Sequence, residues 1–245
     1  MCFKNLVFFT ICILSFTIVS CNSKSNDEKK NENTDTNNNW TKLFNGNNLE
    51  GWEVLGGDGN FFVENKAIVG ETKMGVKSSF LATKKLYDNF ELELEFKIDT
   101  TLNSGIQIRS SKYKKDTTTS YLSGSLEKIT RDWNPGRVHG YQVEIDPSDR
   151  AWTGGFYEEG GRGWLQPLTD NNAAQKAFKQ NEWNTFRIIA DGNHFETYLN
   201  GVQATNYDDS LASKGFIALQ LHEIYDDKQA GKRVMFRNIK IKEFN

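Results

Sequence analysis

From residue 40 onward the sequence predicts an all-β sandwich. Three observations carry this: short segments in which apolar and polar residues alternate, breaks between them rich in Gly, Asn and Asp, and scarce helical periodicity. Side chains on a strand point to opposite faces in turn, so period two marks a strand with one buried and one wet face. The clearest case is Phe90–Ile98, where Phe90, Leu92, Leu94, Phe96 and Ile98 alternate with Glu91, Glu93, Glu95 and Lys97. Residues 61–63 and 67–69 are apolar and flank Glu64-Asn65-Lys66, which predicts a hairpin. Further strands are expected over 105–110, 140–146, 185–191, 194–200, 215–222 and 234–242. Asp191-Gly192-Asn193 and Asn200-Gly201 supply turn residues that accept positive φ. Residues 171–178 are expected to form a short helix and 117–136 a long loop that shapes a site.

The region before the sandwich has a different texture. Lys4 precedes an apolar run over 6–19, broken only by Thr10, Cys12, Ser15 and Thr17, and Ile18-Val19-Ser20-Cys21 follows. A small residue before a cysteine after a short apolar run is the pattern of a lipoprotein leader. Residues 1–20 are therefore expected to be a signal peptide and Cys21 a lipidated anchor, giving an extracytoplasmic, membrane-anchored protein in the periplasm or on the cell surface. Residues 22–39 hold only Asn, Lys, Ser, Asp, Glu and Thr, too polar to fold, so 21–39 reads as a tether and 40–245 as the domain. The three cysteines, Cys2, Cys12 and Cys21, all fall before residue 40. The domain accordingly holds no disulfide, thiolate metal site or thiol nucleophile.

The formal net charge of −2 offers no basic field for nucleic acid, so the partners expected are neutral molecules. Aromatic residues make up 13% of the chain, including six Trp, enough for both a core and sugar-stacking surfaces.

Three of the strands oppose apolar residues with side chains suited to chemistry. Gln107 and Arg109 alternate with Ile106 and Ile108; Gln142, Glu144 and Asp146 with Tyr141, Val143 and Ile145; Gln220 and His222 with Leu219 and Leu221. Period two places these carboxylates, amides, guanidinium and imidazole on one sheet face, a surface suited to polyhydroxylated ligands and proton transfer. Glu144 and Asp146 share a face about 7 Å apart, where one carboxylate serves as a base while the other modulates its charge or holds a cation. His222 follows as a general base or, with Glu144, as a ligand to a divalent metal ion. Arg109 either binds a ligand oxygen or pairs with Glu144. The glycine-rich segment 154–164 lacks phosphate-loop spacing and reads as a mobile rim loop. Trp152, Tyr157 and Trp164 offer ring faces to a sugar, with at least one of them assigned to the core.

Taken together, Leu43-Phe44-Asn45-Gly46 with Leu49, Gly51 and Trp52, Asn89-Phe90-Glu91-Leu92, Asn103-Ser104-Gly105-Ile106 with Arg109, Gly140-Tyr141-Gln142-Val143-Glu144-Ile145 with Asp146, Thr153-Gly154-Gly155 with Tyr157, Glu182-Trp183-Asn184-Thr185, Leu199-Asn200-Gly201 and Phe236-Arg237-Asn238-Ile239 resemble the 3-keto-disaccharide hydrolase domain family. The likeness runs in order through residues 40–245. It implies a concanavalin-like jelly roll of two antiparallel sheets and cleavage of glycosides bearing a ketone at carbon 3. The ketone acidifies the C2 hydrogen; a base removes it, the aglycone leaves from C1, and water adds back. The implied base is His222 or Glu144, with Arg109 or a cation near Glu144 and His222 stabilising the enolate oxygen. Gln107, Gln142, Asp146, Asn103, Tyr157 and Trp164 are then the expected substrate contacts. The stretch 112–137 departs from the family's usual pattern.

Two other functions compete. Glu144-Ile145-Asp146-Pro147-Ser148-Asp149 resembles the carboxylate signature of laminarinase-type retaining β-glucanases, although Asp149 stands where those have Glu. A carbohydrate-binding lipoprotein without catalysis is the third reading, because a fold alone does not assign a function.

Overall fold

The computed structural model describes residues 34–35 and 39–244; the expected leader and lipidated Cys21 lie outside them. Eighteen strands build two sheets. The first contains β1 (Thr34–Asp35), β2 (Trp40–Lys42), β4 (Asn60–Glu64), β5 (Ala67–Glu71), β7 (Phe90–Ile98), β14 (Asn184–Asp191), β15 (His194–Leu199), β16 (Val202–Asp208) and β18 (Arg233–Glu243). The second contains β3 (Trp52–Gly56), β6 (Ser79–Thr83), β8 (Ser104–Lys112), β9 (Thr117–Leu122), β10 (Lys128–Trp133), β11 (Val138–Ile145), β12 (Phe156–Glu159), β13 (Gly163–Gln166) and β17 (Phe216–Leu221). Its order is β10-β9-β13-β12-β11-β8-β17-β6-β3, antiparallel apart from one parallel bridge, Gly163 to Leu122. This is the two-sheet jelly-roll architecture.

The alternation on β7 forms as the sequence demands: every apolar position is buried and every charged one is half-buried. Phe96, Phe186, Phe236 and Ile188 meet Ile106, Ile108, Val143 and Leu219 from the other sheet in one core of essentially unexposed side chains. On β18 a bulge between Arg237 and Lys240, with Asn238 at φ 54°, lets Phe236, Ile239 and Ile241 all reach the core. Such a bulge shifts the phase by one residue, which is why Phe-Arg-Asn-Ile does not alternate. The hairpin β4–β5 turns on Asn65 and Lys66, both at positive φ. The helix is shorter than the sequence predicts, Asn172–Gln175, with the Asn171 side chain accepting from the Ala174 amide at 3.1 Å.

Two expectations change. The stretch 117–136 is no loop: β9 and β10 pair over six residues and extend the second sheet. Nor is 154–164 a rim loop, because β12 and β13 form a hairpin with Phe156, Glu158, Glu159 and Trp164 buried.

Candidate functional site

The outer face of the second sheet carries one row of side chains across its strands. Trp164 pairs with Tyr157, Tyr157 with Gln142, Gln142 with Gln107, and Gln107 with Ala218. One step along, Glu144 pairs with Gly105. Because Gly105 has no side chain, Gln142 lies over it; a Cβ there would stand 2.4 Å from Gln142 Cδ. Gln142 thus leans across β8 and links two neighbours.

The polar groups form a directed chain. Ser110 Oγ donates to Gln107 Oε1 at 2.8 Å, Gln107 Nε2 donates to Gln142 Oε1, and Gln142 Nε2 donates to Glu144 Oε2 at 2.7 Å. Asn103 Nδ2 supplies the second donor, 2.6 Å from Glu144 Oε1. Glu144 is 4% exposed, and burial pushes its carboxyl up to about 7. Asn103 and Gln142 oppose that rise, while Asp146 and Glu159 add to it. Those two acids are ion-paired instead, Asp146 to Arg150 at 2.7 Å and Glu159 to Arg137. Glu144 alone of the three is held by neutral amides.

Above this floor lies a cleft of about 200 Å³ lined by Asn103, Gln142, Glu144, Arg150, Tyr157, Glu159, Trp164 and His222. His222 is half-buried, with Nδ1 2.6 Å from the Glu223 carbonyl oxygen. Donation from Nδ1 to that carbonyl fixes the ring. Arg150 sits 4.5 Å from the Trp152 ring and 5.4 Å from that of Trp164. Trp152 and Trp164 pack edge to face at 4.7 Å, and the Tyr157 hydroxyl meets that of Tyr121 at 2.6 Å.

The structure therefore gathers Asn103, Gln142, Glu144, Tyr157, Trp164 and His222 around one cleft, with Gln107 beneath through Gln142 and Asp146 holding Arg150. Arg109 is not among them. Its backbone is left-handed at φ 45°, and register shifts opposite it, between Phe216 and Ala218 and between His139 and Tyr141, mark a bulge. Gly215 and Gly140 leave room for it: a Cβ on Gly215 would lie 2.3 Å from the Arg109 carbonyl carbon, and one on Gly140 2.4 Å from Ser110 Oγ. The guanidinium turns toward the first sheet, donating to Asp88 O and Gly192 O at 2.6 Å and to Asn89 Oδ1 at 2.9 Å, over the Phe195 ring. The expectation that it faces the ligand beside Glu144 is corrected; Arg109 ties loops together at the end of the sandwich.

Sequence reasoning passed over Arg150 and Glu159, which the cleft contains. The spacing of Asp146 and Arg150 was the available signal for the first. Glu159 faces the cleft only because residues 156–159 form a strand. Asp149 is exposed on the turn after β11 and lines neither cavity that Arg150 borders, so it supplies no second carboxylate opposite Glu144. Among the described residues, no three His, Cys, Asp or Glu side chains gather to hold a metal; Glu144 and His222, the ligands expected from the sequence, both line the cleft.

The sequence model of the 3-keto-alpha-glucoside-1,2-lyase-like domain matches residues 39–242, and the chain belongs to that family. The cleft's amides, carboxylates and rings suit a polyhydroxylated ligand, and the family match supports a carbohydrate-active function. Among solved structures the chain resembles two proteins of Parabacteroides distasonis described as candidate glycosyl hydrolases. One is 18% identical, covering 84% of this chain and 94% of that one, with a TM-score of 0.53. The other is 24% identical over 84% and 99%, with a TM-score of 0.50. The β-glucanase of Bacillus licheniformis, at 12% identity over 84% and 97% and a TM-score of 0.50, shares the fold. No curated protein matches the sequence.

Proposed function

We propose that the domain cleaves 3-keto-glycosides by removing the C2 proton, eliminating the C1 substituent and adding water back. The observation that carries this reading is Glu144: a buried carboxyl in the cleft, poised near 7 and held by amide donors rather than by a cation. A base works best when its pKa lies close to the working pH. In the reaction, Glu144 takes the C2 hydrogen as a proton and electron density moves onto the C3 oxygen. The Arg150 guanidinium, the cation lining the cleft beside Glu144, stabilises that oxygen. As the C1–O bond breaks, His222 Nε2 protonates the leaving oxygen. Water then adds at C1, giving its proton to His222, and Glu144 returns its proton to C2. Elimination followed by hydration is net hydrolysis, and Glu144 and His222 end as they began.

A leader over residues 1–20 followed by Cys21 fits export and lipid anchoring in this proposal, and incorporation of labelled palmitate that is lost in Cys21→Ala tests it. The reaction is tested with a panel of 3-keto-glycosides and their unoxidised parents, in the presence and absence of chelator. Turnover of the keto substrates alone is expected, with Glu144→Gln and His222→Ala each losing at least about a hundredfold in kcat. Near-wild-type turnover by both variants would remove the assignment. Binding of intact glycan without product from any substrate would establish a binding protein instead, and cleavage of unoxidised β-glucan a glucanase.

A further inference from the structure

The cleft over Glu144 is small. At about 200 Å³ it falls below the ~300–1,000 Å³ of typical small-molecule sites, so a ligand of more than one ring has to continue elsewhere. On one side the cleft is walled by Trp164 and by Tyr157, whose hydroxyl is bonded to Tyr121. On the other, past Asn103, Arg150 and His222, the cleft meets a second cavity of about 330 Å³ that shares those three residues.

This second cavity has its own character. Much of its polar lining is already satisfied: Thr101 donates to Asp99 at 2.6 Å, Gln229 donates to the Thr101 carbonyl, and Arg150 is paired with Asp146. It also presents an exposed aromatic ring. Tyr225 is 76% exposed, the most exposed large hydrophobic side chain among the described residues, and its ring stacks on no aromatic or cationic neighbour there. It is nonetheless oriented, since its hydroxyl donates to Glu223 Oε2 at 3.2 Å. An oriented, bare aromatic face at the edge of a polar groove matches the alternating C–H face and hydroxyl rim of a pyranose.

We infer that this groove receives the departing sugar of a 3-keto-disaccharide, with Tyr225 as its stacking platform and the residue that sets preference for a second ring. The inference rests on the reaction proposed above. It also explains why His222 borders both cavities. With the oxidised ring over Glu144 and the departing ring against Tyr225, the oxygen joining them lies at the junction where His222 stands.

The test compares an α-linked 3-keto-diglucoside with methyl 3-keto-α-glucoside, which presents the same oxidised ring and no second one. Tyr225→Ala is expected to lower the ratio of kcat/KM for the disaccharide over the methyl glycoside about three- to tenfold, through KM. Tyr225→Phe, which keeps the ring, should hold the ratio within about twofold of wild type. An unchanged ratio in Tyr225→Ala overturns the inference, and so does an equal fall in both variants. Failure of the underlying reaction is separately visible as wild-type protein that turns over neither substrate. Calorimetric titration with the unoxidised diglucoside then decides the groove, equal affinity in wild type and Tyr225→Ala overturning it. A thermal melt at the wild-type temperature confirms that the variants are folded.

Discussion

Burial of Glu144 has a thermodynamic signature that needs no substrate. Its carboxyl is raised from 4.5 to about 7, burial being the largest cause. Between those values the folded chain holds more protons than the unfolded one, so stability falls as pH rises through that window and levels off above it. At ~1.4 kcal/mol for each pH unit, the difference comes to about 3 kcal/mol. Glu144→Gln removes the ionisation. The amide also puts an N–H against one of the two donors, Asn103 or Gln142, but that cost does not vary with pH. The stability of wild type relative to the variant should therefore decline by about 3 kcal/mol from pH 4.5 to pH 8. For a domain of this size that is about 6–12 °C of relative Tm. Urea denaturation of both proteins across that range measures it directly. A difference that stays constant within about 1 kcal/mol would refute the claim that the fold strains this carboxylate, and with it the reason for naming Glu144 the base.

Four further outcomes follow from the same geometry. The acidic limb of kcat/KM should fall near pH 7, and Asn103→Ala, which removes a donor to the ionised form, should move it to higher pH in a pH–rate profile. Gly105→Ala forces a Cβ into Gln142 and should cut kcat at least tenfold while a crystal structure shows Gln142 displaced from Glu144. Arg109→Met should lower stability by about 2–4 kcal/mol in chemical denaturation, because it removes the hydrogen bonds that a buried guanidinium makes to the part-buried Asp88 and Gly192 carbonyls and to Asn89, yet leave the pH–rate profile of the folded fraction unchanged. Chelator should leave turnover within about twofold if Arg150 is the sole charge on the enolate oxygen; a loss restored by added divalent ion would assign that task to a metal.

What the sequence made legible depended on whether the chain kept phase. On β7 nine residues alternate without interruption, and burial follows them one for one. Gln142 and Glu144 were readable for the same reason, each being flanked by core residues on its own strand, and His222 because it follows directly on Leu221, the last residue of β17. Arg109 obeys that alternation in the sequence but not in space. The bulge at φ 45° depends on Gly140 and Gly215, one on the neighbouring strand β11 and the other just before β17, so nothing within 105–110 announces it. The hairpin β9–β10 was missed because Thr117–Leu122 and Lys128–Trp133 contain no buried residue and so have no apolar face to set a period. The glycines of 154–164 suggested mobility, whereas Gly160 and Gly163 sit there because carbonyls of Val138 and Leu122 occupy the space a side chain would need.

The slender attachment of β9–β10 bears on how such domains diversify. The pair joins the sandwich through Leu122, which bridges Gly163 and donates its amide to the Arg162 carbonyl at 2.7 Å, and through contacts such as Thr119 to Gly161 and Tyr121 to Tyr157. Its residues belong to neither sheet's shared interior, apart from the flank of Leu122. A relative can thus lengthen, trim or replace this flap without refolding the layers that hold the acid.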